Sequence, residues 1–144
     1  MPSFDEIAEF VSDYTCVERS RLTEATTLLG DLGLNGIDND IFLRKYSERF
    51  NVDLSGYLWY FHTYEEFHSI GALFFRPPNK RVKNIPVTIG MLHKFAQAGR
   101  WNVVYPDHRI PSVRLDVVLN NTIIVCLLLL IFIALVVAAV RDSQ

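Results

Sequence analysis

The side chains able to carry chemistry are dispersed along this chain. Its four histidines, His62, His68, His93 and His108, include no pair separated by three or four residues. A structural zinc site gathers closely spaced Cys or His ligands, and nothing here completes such a set, so no metal is expected. Cys16 fits a helix face as a small apolar residue, and Cys126 lies in an apolar block that forbids pairing with it. Gly30 and Gly33 flank Asp31-Leu32 without the Lys-Ser/Thr that a phosphate-binding loop requires. No Gly-x-Ser-x-Gly nucleophile motif occurs. The expectation is a protein that is not an enzyme and holds no cofactor.

Charge is unevenly distributed. Residues 1–75 carry a net −8, residues 76–114 a net +7, and residues 115–144 a net −1. The basic stretch, with Arg76, Lys80, Arg81, Lys83, Arg109 and Arg114, comes with no nucleic-acid-binding motif, so no nucleic acid partner is expected. Its position fits contact with anionic lipid headgroups.

The basic stretch leads into an apolar block. Ile123 to Val140 is an 18-residue run of fourteen Leu, Ile, Val or Phe, three Ala and Cys126. At helical rise it covers about 27 Å, close to the hydrocarbon thickness of a bilayer. Its large apolar residues favour insertion by roughly 4–8 kcal/mol. A core helix of a small soluble domain would show an apolar stripe rather than apolar residues all round. Residues 117–140 are therefore expected to span a membrane once, with a short tail over 141–144. The acidic N-terminus has no signal-peptide pattern. Arg100, Arg109 and Arg114 outweigh Arg141, which predicts a cytoplasmic N-terminal domain at the inner (cytoplasmic) membrane. Asn120-Asn121-Thr122 reads as capping at the helix entry.

The elements ahead of the span read as helices. Phe4, Ile7, Ala8, Val11 and Tyr14 follow helical spacing to about Val17, with Ser3 and Glu6 placed for a capping box. A loop from Glu18 to Asn35 is anchored by Leu28, Leu29, Leu32 and Leu34. A second helix starts at Asn35-Gly36, with Asn35 as cap and Ile37, Ile41, Phe42, Tyr46 and Phe50 as its apolar face. Residues 57–75 hold 8 of the 18 aromatic side chains, including Phe67, Phe74 and Phe75, which fit a packed core or a partner- or membrane-facing patch. Thr88 caps a helix over Ile89 to Gly99, and Trp101 to Ser112 is an extended linker. The fold class is all-α: a helical domain over 1–101, a linker over 102–116, and the span.

Thr27-Leu28-Leu29-Gly30-Asp31-Leu32-Gly33-Leu34-Asn35-Gly36-Ile37-Asp38 resembles the loop and second-helix motif of acyl carrier proteins. Phe50-Asn51-Val52-Asp53-Leu54 looks like the end of that helix. Asp53-Leu54-Ser55-Gly56-Tyr57 with Ala98-Gly99-Arg100-Trp101 resembles, more narrowly, a bacterial acyl-carrier-like family catalogued as domain of unknown function 1493. The resemblance covers roughly residues 4–101. It implies a small acyl-carrier-like helical bundle.

It also exposes a departure. Carrier proteins attach phosphopantetheine to a serine hydroxyl that opens the second helix. Gly36 stands there, so the usual attachment is chemically excluded at this position. Asp38, Asp40 and Glu48 keep part of the acidic face with which carriers dock on basic partners, and Arg44 interrupts it. These residues form the expected partner-binding set. The expected function is a non-enzymatic, membrane-anchored protein-interaction adaptor whose partners are membrane lipid and an unidentified protein. The alternatives are a true carrier or lipid-pathway component using another serine, Ser47 or Ser55, or an inhibitor or immunity-type membrane protein.

Overall fold

The computed structural model describes residues 1–65 and 70–142. Phe67 and His68 lie outside the described residues. Among those described, the fold is all-α, with five helices and no strand.

Helix α1 spans Phe4–Thr15 and starts on the expected capping box. The Ser3 N–H donates to Glu6 Oε2 at 2.7 Å, and the Glu6 N–H donates to Ser3 Oγ at 3.2 Å. Two of the N–H groups left without partners at a helix start are thereby satisfied. The helix stops short of Val17, because Cys16 turns left-handed at φ 58.

Helix α2 spans Gly36–Phe50, and its buried face is Asn39, Phe42, Leu43 and Tyr46. This corrects the face expected from periodicity, which includes Ile37 and Ile41 and omits Leu43 and Asn39. Ile37 is 61% exposed instead. Asn39 is tolerated inside because its side-chain amide donates to Tyr57 Oη at 2.8 Å. The expected cap is also corrected: Asn35 makes no side-chain bond to α2, and its Oδ1 accepts the Tyr64 N–H at 2.8 Å.

Helix α3 is the single turn Gly71–Phe74, and α4 spans Ile89–Ala98. Thr88 Oγ1 caps α4 by accepting the Met91 N–H at 3.2 Å. The core is built where α1 (Ile7, Ala8, Val11), α2 (Phe42, Tyr46) and α4 (Ile89, Leu92, Phe95) meet. The long loop holds on through Leu22, Leu28 and Leu34, all buried, whereas Leu29 and Leu32 are half-buried. Within it, Thr27 and Asp31 close a turn on each other. The Thr27 N–H and hydroxyl both donate to Asp31 Oδ2 at 2.7 Å, while the Asp31 N–H donates back to Thr27 Oγ1 at 3.0 Å.

The aromatic stretch divides in two. Phe61 is buried, and around it Tyr57, His62, Trp101 and Tyr105 form a packed corner. The Tyr105 hydroxyl accepts from the Leu58 N–H (3.2 Å) and Trp101 Nε1 (2.8 Å) and donates to His62 Nε2 (2.9 Å). His62 Nδ1–H donates to the Ile85 carbonyl at 2.7 Å. This pattern needs a neutral imidazole with the proton on Nδ1. Burial agrees, holding the His62 pKa below its ordinary 6.5. The segment after Trp101 thus packs on the module through Tyr105 and His108 while remaining extended. By contrast Ile70, Leu73 and Phe74 stay exposed.

Helix α5 spans Leu115–Asp142 and is long and apolar enough to cross a membrane. At 1.5 Å per residue, its 28 residues extend about 42 Å, enough for the hydrocarbon core and the headgroup layers. None of its most apolar stretch is buried against protein. It begins before Asn120-Asn121-Thr122, so these residues lie inside it, with Thr122 Oγ1 donating to the Val118 carbonyl at 2.9 Å. That corrects the expectation that they cap its entry.

Candidate functional site: a cleft at the root of the apolar helix

The start of α2 and the start of α5, distant in sequence, come together around one open cleft. It has a volume of about 380 Å³ and is lined by Gly36, Ile37, Asp40, Trp59, Tyr64 and Val117, with Glu65 and Arg114 at its polar side. Arg114 Nη2 is 2.7 Å from Glu65 Oε1. The same guanidinium forks onto Asp116, with Nε donating to Oδ1 at 2.9 Å and Nη2 pairing with Oδ2. The Asp116 side chain is 4% exposed and that of Arg114 is 32%. A buried carboxylate persists only with such a partner. The Asp116 bonds are the main cause of a raised Arg114 pKa. Arg114, expected at the headgroups, therefore acts as a clasp between the 57–65 segment and α5.

Gly36 sits on the rim of this cleft with φ 46, in the left-handed region. A residue with a side chain is strained there, by about 1–2 kcal/mol. The backbone at this position therefore favours glycine.

Of the expected partner-binding residues, Asp40, Arg44 and Glu48 recur every four residues and are all exposed, which puts them on one outward stripe of α2. Ile37 belongs to the same stripe and carries it into the cleft. Asp38 is exposed but lies on the flank toward α1, where its backbone carbonyl accepts Tyr14 Oη at 3.3 Å. Lys45 on that flank sits 5.1 Å from the centre of the Tyr14 ring.

The expected lipid-facing residues also divide. Arg76 and Arg81 border one recess beside Leu115, and Arg81 and Arg109 border another. Arg81 Nε donates to the Arg76 carbonyl at 2.7 Å, which holds the two together. Lys80 and Lys83 border neither recess. The result is a basic collar at the root of α5. Sequence reasoning misses Glu65 and Asp116 as parts of the site, and reaches Trp59 and Tyr64 only as members of the aromatic stretch 57–75. The available signal is that Glu65 and Asp116 are acids flanking an otherwise basic junction.

The two serines weighed as displaced attachment sites differ in environment. Ser47 Oγ, half-buried, donates to the Val52 carbonyl at 2.7 Å. Ser55 is exposed, and its hydroxyl donates to Asp53 Oδ2 at 2.8 Å. Among the described residues, no group of three His, Cys, Asp or Glu side chains converges to hold a metal ion.

Fold and site together define a small all-helical module joined by a clasped, basic junction to one apolar helix of membrane-crossing length. The chain belongs to the family described as protein of unknown function (DUF1493), whose family model matches residues 4–105. The match runs from α1 through the Tyr105 network and ends before the apolar helix. No curated protein and no solved structure matches the chain.

Proposed function

We propose that this protein is a membrane-anchored, non-enzymatic adaptor: an acyl-carrier-like module without a prosthetic group that presents a docking surface for a partner protein. The observation that carries this reading is the cleft beside Gly36, where an exposed Ile37 and Asp40, the near end of the Asp40, Arg44, Glu48 stripe, stand next to the membrane helix. An apolar recess ringed by charged side chains has the composition of an interaction surface. Anchoring confines the partner search to the membrane plane, which raises effective concentration without new contacts. The excess of Arg on the module side of α5 supports a cytoplasmic module, at the inner membrane of a bacterium.

Two measurements test this reading. A photo-crosslinking residue at Ile37, in membranes from cells making the full chain, captures a defined protein partner, and the same probe at Ser20 does not. Equal capture at both positions contradicts the docking surface. Co-expression with a phosphopantetheinyl transferase leaves the intact mass unchanged. A phosphopantetheine adduct contradicts the non-carrier reading. Such an adduct supports the second reading, a carrier using Ser55, which is favoured by its exposed hydroxyl bonded to Asp53. Ser55→Ala then abolishes the adduct.

A further inference from the structure

The helical turn α3 and the residue before it leave large apolar side chains uncovered: Leu73 is 82% exposed, Phe74 72% and Ile70 51%. Single exposed apolar residues are ordinary, but three within five positions of a packed module form a patch. Its placement is fixed. Gly71 is buried against the first turn of α5 so tightly that a Cβ at that position would overlap the Asp116 backbone carbonyl. The patch is therefore held beside the root of α5, where Arg76 and Arg81 border the adjoining recess.

Depth comes from helix geometry. Asp116 stands roughly 10 Å before Ile123, where the uninterrupted apolar run begins. That distance places α3 in the headgroup layer when Ile123 marks the edge of the hydrocarbon. An apolar patch bordered by arginines is the composition of an interfacial membrane contact.

We infer that α3 is a second membrane contact, a short wedge whose Leu73 and Phe74 insert at the boundary between headgroups and acyl chains. Its occupant is an anionic phospholipid surface, favoured by continuity with the membrane helix and by the Arg76, Arg81 and Arg109 collar. With two contacts the module cannot swing freely about α5, and the cleft beside Gly36 is held at a constant height above the bilayer. The inference rests on α5 spanning the bilayer.

The test uses the full chain reconstituted in phosphatidylcholine vesicles containing phosphatidylglycerol. A diazirine amino acid is placed at Leu73, Phe74, Leu128 or Ser20 in separate samples, and adducts are weighed after illumination. Phospholipid adducts at Leu73 and Phe74, at least several-fold above those at Ser20, are expected. Water insertion at Leu73 and Phe74 at the Ser20 level, with lipid adducts at Leu128, overturns the wedge and leaves the span intact. Crosslinked dimers through Leu73 or Phe74 overturn it in favour of a second copy. Water insertion at Leu128 as well contradicts the span itself.

Discussion

Helix α4 sinks Ile89, Leu92, Phe95 and Ala96 into the module, none more than 6% exposed, whereas α5 carries Leu128, Leu130, Phe132 and Leu135 at 61–64%. Both helices are apolar, and the distribution of their side chains accounts for the contrast. Helix α4 has Lys94 and Gln97 on its outer side, so one face suffices for burial. Helix α5 from Ile123 to Val140 has no polar face to turn toward water, and no protein covers it. Apolar content thus has two destinations within one chain. A stripe calls for a protein core, and a full cylinder calls for lipid.

Substitutions in each region separate the two destinations. The largest effect is expected from the double change Leu128→Arg, Leu135→Arg, which opposes insertion by about 5–7 kcal/mol. Membrane fractionation then shows the chain leaving the pellet, while helical circular dichroism reports an intact module. Next comes Phe42→Ala, a cavity at the meeting of α1, α2 and the Tyr46 ring. It destabilises the module by about 3–5 kcal/mol in denaturant unfolding and leaves membrane association unchanged. Joint loss of both properties in either variant would break the contrast.

Legibility in the sequence divides along the same line. The cylinder of α5 is readable because eighteen successive positions carry one message. The caps at Ser3 and Thr88 are readable because an N-cap bond is local in sequence. The inner face of α2 is misread because periodicity weighs Ile37 above Asn39. Tyr57, 18 residues away, supplies the partner that lets Asn39 be buried. Asn35 has the residue type of a common cap, and Tyr64 claims its oxygen instead. The clasp of Glu65, Arg114 and Asp116 is illegible because it joins residues 49 positions apart. A bond of that separation leaves no periodic trace. The charged stripe of α2 can be read from spacing, but the cleft it leads into cannot.

Smaller effects sharpen the account of the module alone. Ser3→Ala removes the capping box and lowers stability by about 1 kcal/mol, read as a shift of the denaturant midpoint. The smallest expected effect is on pH dependence through His62. Burial lowers its folded pKa below 6.5, so the unfolded chain binds the proton more readily. The contribution is fully present above about pH 6.5 and is lost as pH falls from there through the folded value. The structure places the Ile85 carbonyl, Tyr105 Oη and the Tyr57 and Trp101 rings against His62. His62→Gln is expected to flatten this part of the stability profile, measured as unfolding midpoint against pH. An unchanged slope would mean that another group carries it.

The most direct test is fractionation of the full chain after cell breakage. The protein is expected in the membrane pellet after ultracentrifugation, retained through an alkaline carbonate wash and released only by detergent. Recovery in the supernatant without detergent would contradict the claim that lipid covers α5.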